Sequence, residues 1–299
     1  MPKMTPFYQD VQSHYDLSDE FFALFLDPSR TYSCAYFSRP DLTLEQAQLA
    51  KIDLALNKCD LRPGMTLLDI GCGWGATMRR AVEKYDVNVI GLTLSRNQYE
   101  HVRAQFSTGP PTGRTAQVRL QGWEDFTEPV DRIVSIGAFE HFRRQRYDAF
   151  FTRARQLLPD DGRMLLHTIV GHSRPLLAAM GVEVTRDDAV FLRFILREIF
   201  PGGQLPEREA IIPLAQRNAF WVQNIESLQP HYARTLDMWA QALASRHQDA
   251  VRLASEQIYR NYHRYLTGCA DNFRRRLIDV LQFTLLTQGT PQLPTAGSG

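Results

Sequence analysis

The middle of this chain alternates short apolar runs with longer stretches of helical period. Thr66 to Ile70 is apolar except at Thr66 and Asp69 and too short for a helix, so it reads as a buried strand. Ala76 to Lys84 then carries a helical pattern. Val87 to Thr93 is a second strand and Arg96 to Phe106 a second helix. After a Ser107–Gly113 surface loop come strands over Gln117–Leu120 and Asp131–Ile136, a helix over Phe150–Leu158, and a fifth strand over Arg163–Val170. The turn Asp160-Asp161-Gly162 opens that last strand. A pattern that alternates strand and helix predicts an α/β fold, with a mostly parallel sheet covered by helices on both faces.

The flanks break the rhythm. Residues 7–65 form an N-terminal helical extension. In it, Asp19-Glu20 precede an apolar helix (Phe21, Phe22, Leu24, Phe25, Leu26) that ends at Asp27-Pro28, and Thr43–Lys58 sets Leu44, Ala47, Ala50, Leu54 and Ala55 on one side. Residues 171–205 are an insertion. Its segment Val190–Phe200 is apolar nearly all round, as in a deeply buried core helix or a lid over a greasy substrate. Beyond it the pattern predicts helices over Pro206–Phe220, Pro230–Ala244 and Ala250–Cys269, with strands over Trp221–Ile225 and Asp279–Leu286. The expected organisation is one domain over residues 1–288, with a core at 66–170, a lid at 171–205 and the rest of the core at 206–288. The Pro/Gly/Thr-rich segment 289–299 reads as a disordered tail.

Composition narrows the class. A chain of 299 residues, 44% hydrophobic, can bury a full core, and a net charge of +1 argues against a nucleic-acid binder. Cys34, Cys59, Cys72 and Cys269 are too scattered for a disulfide set or a zinc site, which points to reduced thiols in a cytoplasmic protein. No apolar run approaches the roughly 20 residues that span a bilayer, and no secretory signal follows Met1. A soluble protein is expected.

Sheets of this kind bind ligands beyond the carboxyl ends of their strands. Five candidate stretches fall there. After the first strand comes Asp69-Ile70-Gly71-Cys72-Gly73-Trp74-Gly75, whose glycines let a ligand approach bare backbone at a helix N-terminus. Its Asp-x-Gly-x-Gly-x-Gly spacing looks like the S-adenosylmethionine loop of class I methyltransferases, a Rossmann-like fold. The second strand ends in Thr93, Leu94 and Ser95, with no ribose-gripping acid; Thr93, Ser95 and Gln98 are hydrogen-bonding substitutes. After the third, Trp123 and Glu124 suit adenine, by stacking and by accepting from its amino group, although Trp123 also suits plain core packing. After the fourth, Ile136 to Phe142 places Glu140 and His141, of which Glu140 is the better active-site candidate. His167, in the fifth strand, has the usual look of a hydrogen-bonded core histidine.

Several motifs together resemble the mycolic acid cyclopropane synthases of mycobacteria, within the cyclopropane-fatty-acid synthase family. They are Tyr32-Ser33-Cys34-Ala35-Tyr36-Phe37, Leu68 to Gly75, Gly122-Trp123-Glu124, Ile136 to Phe142, Phe200-Pro201-Gly202-Gly203, Leu228 to Ala233 and Tyr265 to Ala270. The resemblance runs in order from about His14 to Phe283. It implies transfer of the methyl group of S-adenosylmethionine to a double bond of a long acyl chain carried on acyl carrier protein, followed by proton loss that closes a cyclopropane ring. It further implies that Tyr32, Ser33 and Ile136 join the cofactor residues, and that a bicarbonate ion accepts the proton in a cage of Cys34, Glu140, His167, Tyr232 and the Ile136 backbone. Tyr15, Phe200 and Tyr265 would face the cation of the substrate. The same comparison raises Cys269 as a catalytic candidate, although no step needs a thiolate. Family members that install a hydroxyl carry Glu where this chain has Gly137, so a ring is the expected product.

Two other functions stay open on the sequence. One is a methyl-branching or hydroxylating member of the same family, and the other is a non-catalytic binder of acyl chains. A face bearing Arg143, Arg144, Arg146, Arg153 and Arg155 is a candidate dock for an acidic carrier, or simply solvated surface.

Overall fold

The computed structural model describes residues 4–6, 17–110 and 113–288. Tyr15 and the 289–299 tail lie outside the described residues. The elements, in chain order, are α1 (Asp19–Phe22), α2 (Leu44–Lys58), β1 (Thr66–Ile70), α3 (Ala76–Tyr85), β2 (Asn88–Thr93), α4 (Arg96–Gln105), β3 (Ala116–Leu120), β4 (Arg132–Ile136), α5 (Tyr147–Leu157) and β5 (Arg163–Gly171). There follow α6 (Arg174–Ala179), α7 (Arg186–Phe194), α8 (Arg208–Arg217), β6 (Phe220–Ser227), α9 (Gln229–Ser245), α10 (His247–Leu253), α11 (Glu256–Arg274) and β7 (Ile278–Thr287). The seven strands form one sheet in the order β3-β2-β1-β4-β5-β7-β6. β1 to β5 run parallel, and β7 lies antiparallel to both of its neighbours, β5 and β6.

Period-2 alternation decides which face each residue serves. Leu68, Ile133 and Leu166 pack with Phe150, Phe151 and Ala154 of α5 and with Ile211 and Ala215 of α8. Their neighbours Leu67, Val134 and Leu165 point the other way, onto Ile52, Ala55 and Leu56 of α2, Met78 and Val82 of α3, and Val102 of α4. A third cluster is aromatic. It joins Phe21, Phe22, Phe25 and Trp74 to Trp239, Tyr262, Tyr265 and Phe273, and ties the N-terminal extension to α9 and α11.

Three expected helices come out differently. The helix begun at Asp19 lasts one turn and is capped by Ser18, whose Oγ accepts from the Phe21 amide. The single helix expected over Ala250–Cys269 breaks at Ala254, because Ser255 starts a new one by accepting from the Ile258 amide. The segment Val190–Phe200 belongs to α7, whose Thr185–Asp188 capping box fixes its start, and to a π-helical turn over Ile195–Ile199. It is not deeply buried: Leu192 is 52% exposed and Leu196 40%.

Candidate active site

β1 and β2 set the glycine loop. The Gly71 and Cys72 amides both donate to the Leu92 carbonyl, at 3.0 and 2.9 Å, so the loop leaves β1 fastened to its neighbour. The glycines then serve different ends. A Cβ on Gly71 would sit 2.5 Å from that of Ala138, and one on Gly75 would meet Val102 at 3.0 Å, so both are packing requirements. Gly73, at φ +55°, would meet nothing within 4 Å, and it alone opens onto free space. Of the three glycines expected to make room for a ligand, Gly71 and Gly73 line this space and Gly75 does not.

That space is a cleft along the ends of β1, β2 and β4. Tyr32, Ser33, Asp69, Gly71, Gly73, Thr93, Leu94, Gln98, Trp123, Glu124 and Ile136 line it, whereas Gly75 and Ser95 do not. Ser95 instead caps α4, accepting from the Gln98 amide. The Thr93 hydroxyl donates to Gln98 Oε1 at 2.8 Å, which fixes that side chain against the wall. Trp123 combines both of its readings: it lines the cleft and packs edge-on against Phe150 at 5.4 Å.

Two carboxylates in the cleft carry unsatisfied oxygens. Asp69 Oδ2 and Glu124 Oε2 are buried without a hydrogen-bond partner, a costly state unless a ligand supplies donors. Glu124 Oε1 accepts from Arg146 Nη1 at 2.9 Å. Burial pushes the Asp69 carboxyl up to about 7 despite the nearby Lys51. A ligand with an ammonium group and an exocyclic amine fits these two acceptors, and S-adenosylmethionine has both.

Lys51 escaped the sequence reading. It is 1% exposed, donates to Ser33 Oγ at 2.6 Å, and burial pulls its ammonium down to about 8. Gln48, one turn earlier, donates to the Thr31 and Ser33 carbonyls at 3.2 and 2.8 Å. Together they clamp the Thr31–Ser33 segment onto α2. The signal was a lysine and a glutamine on the apolar face of an amphipathic helix.

A second cavity, of about 590 Å³, opens beside the cleft. Phe191, Ile195, Leu196 and Phe200 of the insertion wall one side, so this segment serves as an apolar cover. Tyr232, Tyr265, Cys269, Glu140 and His167 also line the cavity. Phe200 and Tyr265 meet edge to face at 5.5 Å. The cleft and the cavity share Tyr32, Ser33, Gly137 and His141.

Glu140 is held by one oxygen, Oε1, which accepts from the Ile169 amide at 2.6 Å, while buried Oε2 has no partner. Burial pushes its carboxyl upward and pulls the His167 imidazolium well below the usual histidine range. Both groups are thus biased toward neutrality. Tyr232 is shifted upward by burial, which keeps its phenol protonated. Burial pushes the Cys269 thiol up to about 12, which disfavours a thiolate nucleophile. Cys34 lines neither space. Its Sγ is fully buried, 3.1 Å from the Ala35 carbonyl oxygen and 3.7 Å from that of Leu228, so this member of the expected cage sits behind the wall.

Three of the five arginines are engaged with carboxylates. Arg146 is committed to Glu124, Arg155 pairs with Asp160 at 2.9 Å, and Arg144 faces Glu207 at 3.9 Å. Among the described residues, no three His, Cys, Asp or Glu side chains gather into a metal site. No described helix is long and apolar enough to cross a membrane.

A seven-stranded, mostly parallel sheet with a glycine loop after its first strand is the class I methyltransferase fold. Coclaurine N-methyltransferase shares it at a TM-score of 0.75 and 20% identity, over 95% of this chain and 84% of that one. The sequence pattern of mycolic acid cyclopropane synthetase matches residues 3–283. The chain belongs to that family, whose members are S-adenosylmethionine-dependent methyltransferases. It is 58% identical to cyclopropane mycolic acid synthase 1 of Mycobacterium tuberculosis, over 94% of this chain and 98% of that protein. It is also 58% identical to the S-adenosylmethionine-dependent methyltransferase UmaA of the same organism, over 95% and 99%. The structure of the cyclopropane synthase MmaA2 from M. tuberculosis matches with a TM-score of 0.94 over 95% of this chain and 99% of that one. CmaA1 complexed with SAH and CTAB matches at 0.92, over the same shares.

Proposed function

We propose that this protein converts a double bond of a long unsaturated, mycolic-type acyl chain into a cyclopropane, with S-adenosylmethionine as the methylene source. The observation that carries the reading is the junction of the polar cleft with the apolar cavity at Tyr32, Ser33, Gly137 and His141. S-adenosylmethionine, when bound, supplies an electrophilic methyl group on sulfur. Asp69 and Glu124 would hold its amino groups, and Gly73 would admit it.

The chain's own residues then govern the alkene. A weak nucleophile must be held in line and dry, which the aromatic and aliphatic cover provides. Tyr232, Tyr265 and Phe200 offer π faces to a developing carbocation. Ring closure needs a proton acceptor beside it. The unpartnered Oε2 of Glu140, with His167 in the same cavity, fits a small oxyanion that both donates and accepts, and bicarbonate is such an ion. We take the acyl chain to arrive on acyl carrier protein in the cytoplasm. Identity does not choose between ring and branch, because the cyclopropane synthases and UmaA, described only as an S-adenosylmethionine-dependent methyltransferase, are equally similar. Gly137 favours the ring, since it puts no polar group where water would be held.

The test is incubation of the purified enzyme with S-adenosylmethionine and a monounsaturated acyl-carrier substrate, followed by mass spectrometry. A product heavier by one CH2, with the double bond gone, supports the proposal. A product heavier by CH2 plus water, or an unaltered substrate, refutes it.

A further inference from the structure

The strand register aligns three polar residues across the sheet. His167 of β5 pairs with Gln282 of β7, and Gln282 pairs in turn with Glu226 of β6. All three side chains lie on the face covered by α2, and Lys58 at the end of that helix completes the row. Lys58 Nζ lies 2.5 Å from Gln282 Oε1 and 2.5 Å from Glu226 Oε2. The Gln282 amide nitrogen lies 3.3 Å from His167 Nδ1. Both His167 and Gln282 are buried, at 1% and 0% exposure.

The donor and acceptor inventory permits one assignment. An ammonium group only donates, so the end of the amide facing Lys58 must be its oxygen. The NH2 end then faces His167 and donates, so Nδ1 must present its lone pair. A neutral imidazole with an accepting Nδ1 carries its proton on Nε2. Imidazolium would set two donors against each other, and the cations of Lys51 and Lys58 oppose it as well. We propose that Lys58, through Gln282, locks His167 in the Nε2–H tautomer, which leaves a hydrogen-bond donor for the cavity shared with Glu140. Lys58 and Gln282 are thus positioning residues. Glu140 supplies an acceptor and His167 a donor, the pair that a protonated oxyanion requires. The consequence for turnover rests on the cyclopropanation reading, whereas the tautomer does not.

Nitrogen-15 NMR of histidine-labelled protein at neutral pH tests this, with the His167 signals assigned by their loss in His167→Gln. The wild type is expected to show a protonated Nε2 and an unprotonated Nδ1. Gln282→Glu replaces the donor with a carboxylate that only accepts, so the proton should move to Nδ1. Turnover should then fall by about 10²-fold or more, as expected for a histidine in the wrong tautomer, with cofactor affinity unchanged. Lys58→Met frees the amide to rotate and should give mixed tautomers. A wild-type Nδ1–H form or imidazolium overturns the lock, and so does a Gln282→Glu spectrum with Nδ1 still unprotonated. Should Gln282→Glu fail to fold, the wild-type and Lys58→Met spectra decide. A flipped tautomer with undiminished turnover upholds the lock and removes His167 from the proposed reaction.

Discussion

Arg146, just before α5, donates to Glu124 at the end of β3, and this 2.9 Å contact keeps a buried carboxylate turned into the cofactor cleft. Arg146 Nη1 also donates to the Thr5 carbonyl at 2.7 Å, which ties an early part of the chain to the same corner. Arg146→Met should raise the cofactor dissociation constant about tenfold, because Glu124 loses the partner that opposes its desolvation and becomes easier to protonate. Calorimetry with S-adenosylhomocysteine reads the change. An unaltered constant with a lowered melting temperature would make the pair purely structural.

The glycine loop predicts a double dissociation. Gly71→Ala drives a methyl group to 2.5 Å from Ala138 and should cost roughly 1–3 kcal/mol of stability. Gly73→Ala meets open space and should cost about 1 kcal/mol of backbone strain, with a larger loss of cofactor affinity. Denaturant melts paired with calorimetry separate the two effects. Equal loss of affinity in both variants, at equal stability, would reject the distinction.

Asp69 predicts opposed pH slopes. Its folded carboxyl titrates near 7, above the ordinary 3.8, so the free protein keeps this contribution to stability fully below 3.8 and loses it as pH rises through about 7. Cofactor binding runs the other way, because an ammonium ligand needs the carboxylate ionised. Affinity should therefore rise between pH 6 and 8 and then level off, with proton release on binding at the lower pH. Calorimetry in buffers of different ionisation enthalpy counts those protons, and Asp69→Asn should abolish the release.

Glu140→Gln keeps the shape of a side chain anchored on the Ile169 amide and replaces an ionisable carboxyl with an amide that cannot exchange a proton. Turnover should fall about 10²–10³-fold while cofactor affinity stays near wild type, since Glu140 lines the apolar cavity and not the cleft. Added bicarbonate should partly rescue the variant if its anion site is only weakened. Loss of cofactor binding in parallel with turnover would contradict this division of labour.

Gly137 lies on the wall common to both spaces at φ +69°, and an added Cβ would come no nearer than 3.9 Å to Ser33. The Cβ of a Gly137→Glu variant therefore meets no clash, at a backbone strain of about 1 kcal/mol. A carboxylate there would orient water beside the carbocation and divert part of the product to a hydroxyl with an adjacent methyl branch. Mass spectrometry distinguishes the two products, and a wild type that already yields the hydroxylated lipid would deny Gly137 this role.

The sheet was legible because its signals are local. Apolar runs such as Thr66–Ile70 and Arg163–Val170 sit between turn residues, and helices separate β1 from β2, β2 from β3 and β4 from β5. Helix breaks were harder to see, since Ser255 interrupts an apolar period by capping, which hydrophobicity does not register. Within the site, loop motifs pointed to Asp69, Trp123 and Glu124. The polar residues that hold Ser33 and His167 were missed. Lys51, Lys58 and Gln282 look like ordinary polar interruptions until the fold brings them to their partners, which lie far away in sequence, 115 residues in the case of His167 and Gln282. Among the grouped arginines, the individual pairings could not be read from sequence: Arg144, Arg146 and Arg155 each face a different carboxylate in space.

β7 is the last of the described strands to be synthesised, yet it occupies an inner place in the sheet, between β5 and β6. On the ribosome, a nascent chain that reaches only Leu277 has β5 as a bare sheet edge and β6 with no strand to pair with. His167 has no Gln282 to orient it, and the wall behind the substrate cavity is unfinished. The five parallel strands can associate as they emerge, but the chemistry cannot. A chain that ended before β7 would keep the glycine loop after β1 but would lack Gln282 beside His167 and the Ile278 part of the second cavity's lining.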